Sequence, residues 1–167
     1  MQIKEIIHYL ESIAPLAYQE SYDNAGLIIG NKNLALQNAL LTLDVTEAVL
    51  EEAIQKNCNL IIAHHPVIFH GIKKITGNHF VERIIIRAIK KDIAIYAAHT
   101  NLDNIREGVS NSMADRLGLI NRKVLAPLKG NLKKLYTFVP LAQAAIIRTA
   151  LFAAGAGHIG QYSECSY

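Results

Sequence analysis

The chain has 167 residues, 51% of them hydrophobic and 19% charged, with a formal net charge of +3. That balance lets one domain, or one domain and part of another, bury a core, and it excludes general disorder. The basic residues are scattered, forming no run longer than pairs such as Lys73-Lys74 and Lys90-Lys91 and no stripe with aromatics, so a nucleic-acid partner is not expected.

The chain opens MQIKEIIHYLESIAP, in which Ile3, Ile6, Ile7 and Leu10 recur at helical spacing and Pro15 ends the helix. Its mixture of charged and apolar residues is unlike a signal peptide. YDNAGLIIG follows, a polar turn entering a short strand closed by Gly30. ALLTLDV, residues 39–45, is a continuous apolar run that predicts a strand buried on both faces. Thr46 is placed to cap a helix that carries Glu47, Glu51 and Glu52 and runs to about Asn57. The unit then repeats: NLIIAHH as a buried strand, HFVERIIIRAIKKD as a helix with basic residues near its C-terminal end, and IAIYAAHT as another strand. After a loop, NLDN, the segment IREGVSNSMADRLGL spaces Val109, Met113 and Leu117 helically, with Gly118 as its C-cap. Alternating buried-type strands and helices imply right-handed crossovers, hence an α/β fold with a mostly parallel sheet flanked by helices.

A polar linker with Pro127 and Gly130, LAPLKGNLKK, divides this part from the rest. It predicts an α/β domain over residues 1–125 and the beginning of a second domain over 132–167. In the second, KLYTFVP reads as an alternating strand, the apolar run from Leu141 as a helix, and GHIGQYSECSY as the start of a further strand. A strand, a helix and part of a strand do not make a stable domain, so the chain is expected to end inside its second unit. The run from Leu141 to Gly160 is no membrane span, because Arg148 near its middle costs about 2.5–3.5 kcal/mol on insertion scales. Cys58 and Cys165 are too few and too far apart for a disulfide framework or a thiolate metal knuckle, and they read as reduced thiols of a cytoplasmic protein.

Ligands of open α/β sheets bind beyond the carboxyl ends of the strands. Here those ends carry Asp44, the pair His64-His65, and His99 with Asp103 just after it. Neighbouring residues of a regular strand point to opposite faces, so His64 and His65 need a break in the strand before both can turn to one rim. Pro66 supplies it, and the two rings then suit two metals, or a metal and a catalytic base. His99 and Asp103 are four apart, which puts them on one face if the segment is helical. Imidazoles suit zinc, iron or nickel, a carboxylate can bridge two cations, and a bound metal lowers the pKa of water from 15.7 to about 7.

Isolated histidines are ordinarily surface or hydrogen-bonded groups, and His8, His70, His79 and His158 read that way. Asp44 serves equally well as a helix cap or as a site residue. The glycines of GLIIG and GAGHIG do not form a phosphate-binding fingerprint, and Cys58 in its apolar context belongs to the core.

The stretches ESYDNAGLIIG, LLTLDVTEAVLEEAI, LIIAHHPVIFHGIKKITG and IYAAHTNLDNIREGVSNSMADRLGL resemble, in order and spacing, the GTP cyclohydrolase I type 2-like or NIF-three-like dinuclear-metal family over residues 1 to about 120. The tail from Lys134 is similar to the start of the ferredoxin-like α+β domain that many members carry inserted. The resemblance implies that His64, His65 and Asp103 ligate divalent metal, Asp103 bridging two ions. It puts His99 beside the centre as a catalytic proton shuttle, and Asp44 and Thr100 near the pocket. It further implies a ring-like homohexamer and a small-molecule or nucleotide substrate attacked by metal-bound hydroxide. A non-enzymatic metal carrier or regulatory scaffold is the competing reading. Phosphoesterases with an Asp-His-His motif are a lesser one, because Ala63 stands where they need a carboxylate. The family also uses a His and a Glu on a later segment; nothing like it follows Tyr167, and a truncated chain is expected.

Overall fold

A four-stranded sheet organises the computed structural model, which describes residues 1–126, 133–158 and 163–166. The chain divides into two units, Met1–Arg122 and Lys123–Tyr167.

In the first unit, β1 (Gly26–Ile29), β2 (Ala39–Thr42), β3 (Leu60–Ala63) and β4 (Ala94–Ala97) lie side by side in the order β1-β4-β3-β2. The pairs β2–β3 and β3–β4 are parallel, as helical crossovers require, and β1 joins β4 antiparallel. Side chains alternate between two cores. On one face Ile61, Ala63 and Ile95 pack with Leu50 and Ala53 of α2 (Glu47–Gln55) and with Ile84, Ile85 and Ala88 of α3 (Phe80–Lys90). On the other, Leu60, Ala94 and Tyr96 pack with Ile3 and Ile7 of α1 (Ile3–Ile13). Burial on both faces explains why β3 and β4 read as unbroken apolar runs.

The expected caps and breaks form. Thr46 Oγ1 accepts from the Val49 amide at 3.2 Å, and α1 stops just before Pro15. Arg83 grips Glu47 through two bonds of 2.9 and 3.0 Å, and Arg87 pairs with Glu51, tying α3 to α2. Gly30 closes β1 at φ +102°, where a Cβ would come within 2.5 Å of the Ala94 Cα; only glycine allows this approach of β1 to β4.

Three expectations are corrected. The run 39–45 is not buried on both faces: β2 is an edge strand, Leu40 packs on the core below, and Leu41 is 75% exposed because α1 packs over β3 and β4. NLDN is not a loop, since α4 (Thr100–Asp103) makes a helical turn there before α5 (Val109–Arg116). KLYTFVP forms no strand: no strand among the described residues pairs with it, and an unpaired strand has no ladder to hold it.

In the second unit the expected helix appears as α6 (Ala144–Ala153), led by a 3-10 turn at Leu141–Gln143. The further strand anticipated in GHIGQYSECSY falls partly on residues 159–162 and 167, outside the described residues, and 163–166 are not strand. Among the described residues no helix is long and apolar enough to cross a membrane.

Candidate metal centre

The carboxyl ends of β3 and β4 deliver three imidazoles to one place. The β2–β3 ladder continues past the strand proper, with the His64 amide donating to Thr42 O at 3.2 Å and the His65 amide to Leu43 O at 2.9 Å. It ends at Pro66, which has no N–H to donate. Across the ladder the Ala98 amide donates to Ala63 O at 2.9 Å, so β4 carries His99 to the same level. The ring centroids of His64 and His65 are 4.9 Å apart, those of His64 and His99 5.2 Å, and those of His65 and His99 5.6 Å. One ring nitrogen from each lies within 4.8 Å of the other two.

Each ring is held by its Nδ1. His64 Nδ1 lies 2.8 Å from Ala98 O, His65 Nδ1 2.8 Å from Asp44 Oδ1, and His99 Nδ1 2.7 Å from Asp23 Oδ1. A carbonyl or carboxylate oxygen can only accept, so all three Nδ1 atoms carry the proton. In the neutral rings all three Nε2 atoms then keep a free lone pair. This is the arrangement by which proteins orient metal-binding imidazoles: the far N–H to a carboxylate or backbone carbonyl, the near nitrogen to the ion.

Asp103 arrives by the helical turn of α4. Its amide donates to His99 O at 3.2 Å, and its Oδ2 reaches to 3.8 Å from His64 Nε2. Asn101, fully buried, fastens that turn: its Oδ1 accepts from the His99 amide at 2.9 Å and its Nδ2 donates to Ala14 O at 2.7 Å. Asp44, whose two sequence readings were equally open, does not cap α2, which Thr46 does; its Oδ1 accepts from His65 Nδ1. Thr100 does not touch the rings. It donates from its amide to Asp23 Oδ2 at 3.1 Å and from its hydroxyl to the same oxygen, while accepting from the Glu20 amide at 2.9 Å.

Asp23 is the site residue that sequence reasoning missed. Its side chain is fully shielded from solvent, between β1 and the start of α4. Burial raises its carboxyl, but the hydrogen bonds from the His99 ring, the Thr100 hydroxyl and the amides of Asn24 and Thr100 outweigh burial and hold it below the ordinary aspartate value. It is a buried anion behind His99. The only signal was its place in the polar turn YDNAG before β1; nothing in the spacing links it to His99, 76 residues away.

Of the other histidines, His79 caps α3, its Nδ1 accepting from the Val81 amide at 3.4 Å, and His70 packs edgewise on Phe69. His8 and His158 are exposed, as expected. Fold and site together define an α/β protein with a histidine cluster that could hold a metal ion at the carboxyl rim of its sheet.

The comparisons with known proteins are specific. The family described as Duf34/NIF3 (NGG1p interacting factor 3) matches residues 1–165, and the chain belongs to it. It is 46% identical over 165 residues to a GTP cyclohydrolase 1 type 2 homolog of Bacillus subtilis, covering 98% of this chain and 44% of that protein. Among solved structures it resembles a Bacillus cereus protein related to NIF3, with TM-score 0.76 and 44% identity over all of this chain and 46% of the other. It also resembles reduced HcgD from Methanocaldococcus jannaschii, with TM-score 0.69 and 30% identity over 74% of this chain and 49% of the other. The chain thus spans less than half the length of these relatives.

Proposed function

We propose that this chain contributes half of a divalent-metal centre in a hydrolase acting on a nucleotide or related heterocycle, with His64, His65 and Asp103 as ligands. The observation that carries the reading is the set of three Nδ1-anchored imidazoles with free Nε2 atoms beside a carboxylate. The donor set fits a zinc-, iron- or nickel-type ion. One ligand nitrogen from each of His64, His65 and His99 lies within 4.8 Å of the other two, close enough for the rings to share an ion. Asp103, brought beside His64 by the turn of α4, has two carboxylate oxygens and would be suited to hold more than one ion. A bound divalent ion would supply Lewis acidity, lowering the pKa of water from 15.7 to about 7.

The protein's own groups have separable tasks in this reading. Ala98 O and Asp44 aim His64 and His65. Asp23 fixes the tautomer of His99, which leaves Nε2 as the acceptor for a proton from the site. Asn101 and Thr100 hold that pair in register. His99 has its ring centroid 5.2 Å from that of His64 and 5.6 Å from that of His65 and would serve as a third ligand where one ion binds.

The ring-like hexamer, the remaining ligands and the GTP substrate belong to this proposal, supported by the similarity to GTP cyclohydrolase 1 type 2 homologs. Metal analysis of the purified protein tests it. We expect a bound divalent ion that is lost in His64→Ala and in Asp103→Ala, and metal-dependent hydrolysis of GTP that His99→Gln reduces. Protein that neither carries nor takes up divalent metal would refute the reading. Bound metal without turnover of GTP would favour the carrier alternative.

A further inference from the structure

Beside the histidines stands a pair of side chains with no part in the core or in the metal reading. Tyr22, from the turn before β1, and Phe69, from the loop after β3, have ring centroids 6.4 Å apart and planes at 55°. Tyr22 is 65% exposed and Phe69 38%. Burial therefore does not account for their meeting, yet the loops that carry them are pinned. Val67 and Ile68 pack onto the core beneath α2 and α3, and Asn24 Nδ2 donates to Ile68 O at 2.7 Å, tying one loop to the other. Phe69 lies 6.2 Å from the His99 ring, edge to face at 85°.

We propose that Tyr22 and Phe69 form a stacking platform that holds a planar heterocyclic ring of the substrate against the histidine cluster. The inference rests on the hydrolase reading above and names what that site would recognise. An exposed aromatic face attracts another π-face and offers no hydrogen-bond donor or positive charge to a phosphate. With its centroid 6.2 Å from that of His99, Phe69 would seat a stacked ring beside the histidine cluster. The edge of that ring would then face the imidazoles, where donors and acceptors can be matched. The platform thus selects a flat base and the histidine rim reads its edge, a division of labour common in small-molecule sites.

The test measures binding of guanosine and of ribose 5-phosphate to the full chain by calorimetry, with metal content determined on each preparation. We expect guanosine to bind and ribose 5-phosphate to bind far more weakly. Phe69→Leu and Tyr22→Leu should each weaken guanosine about fivefold or more, the low end of base–aromatic stacking, while Tyr22→Phe leaves it unchanged and metal content stays at the wild-type level. Equal binding of the two probes, or wild-type guanosine affinity in both leucine variants, overturns the platform. A changed solution mass in Phe69→Leu with unchanged guanosine affinity also overturns it, making the pair an interface between copies. Absence of metal in every preparation fails the hydrolase reading, while guanosine discrimination still decides the platform.

Discussion

Replacing Asp23 by asparagine isolates what the buried carboxylate does. The side chain is fully shielded and accepts four bonds: at Oδ1 from His99 Nδ1 at 2.7 Å and the Asn24 amide at 2.6 Å, and at Oδ2 from the Thr100 amide at 3.1 Å and the Thr100 hydroxyl. Asparagine has the same shape but only one acceptor oxygen. Placed towards Thr100, that oxygen keeps two bonds as neutral ones, and the amide NH2 is left facing His99 Nδ1 and the Asn24 amide, which loses its acceptor. The ring must then surrender its Nδ1 proton to become an acceptor, and the proton moves to Nε2. Charge-assisted bonds are worth roughly twice neutral ones of about 1 kcal/mol, and removing a buried charge returns part of that, so a loss of about 1–2 kcal/mol in stability is expected. With its lone pair taken from the site, His99 should no longer assist the cluster, and zinc affinity should fall about 10- to 100-fold. Urea unfolding gives the first quantity, competition with a chromophoric chelator the second, and two-bond nitrogen–proton NMR correlations of the ring give the tautomer. If His99 in Asp23→Asn still carries its proton on Nδ1, the reasoning is wrong.

Three further outcomes are expected. In Gly108→Ala a Cβ would stand 2.2 Å from Leu102 O and 2.9 Å from Ile105 O, so α4 must shift and carry Asp103 with it; we expect a loss of about 1–3 kcal/mol in urea unfolding together with weakened zinc binding. Tyr96 is wholly buried and its hydroxyl has no partner among the described residues, so Tyr96→Phe should raise the urea midpoint by about 1 kcal/mol of stability, and a loss would mean the hydroxyl is hydrogen-bonded after all. Glu82 Oε2 accepts from the Thr76 amide and hydroxyl at 2.8 Å each, from the Gly77 amide at 2.8 Å and from the Asn78 amide at 3.2 Å, which holds its carboxyl below 4.5. A lowered folded-state value means stability that is present above 4.5 and lost as pH falls through the folded value. The stability gap between wild type and Glu82→Gln should therefore be full at pH 7 and close on acidification, and a gap independent of pH would exclude the carboxylate as its source.

The centre is built mainly from local pieces whose meeting is not local. Asn101 shows the dependence: one buried amide bonds both the backbone of His99 and the end of α1, 87 residues earlier. Docking of α1 and placement of His99 therefore stabilise each other. Asp23 links β1 to α4 in the same way, which gives the antiparallel strand a function besides closing the sheet edge. The loops carrying Tyr22 and Phe69 are the outermost layer of this arrangement, anchored by Val67, Ile68 and Asn24 but open to solvent.

Much was legible in the amino-acid sequence because it rests on short-range physics. Continuous apolar runs marked β3 and β4, Thr46 marked the start of α2, Pro15 the end of α1, and the residues after the strands marked the rim that carries His64, His65, His99 and Asp103. Periodicity cannot say how many faces a given strand has covered, so β2 was misjudged: an edge strand and a central strand have the same apolar composition until their neighbours are placed. KLYTFVP shows the same limit from the other side, since alternation is realised as a strand only where a partner supplies the ladder. The tertiary structure alone decided which oxygens stand behind the rings. Asp23, Asp44 and the Ala98 carbonyl come from three separate segments, and only the parallel crossovers and the antiparallel β1 bring them within hydrogen-bond reach of His99, His65 and His64. The types of the rim residues were set by the chain itself; their protonation and aim were set by contacts that exist only once the sheet has closed around them.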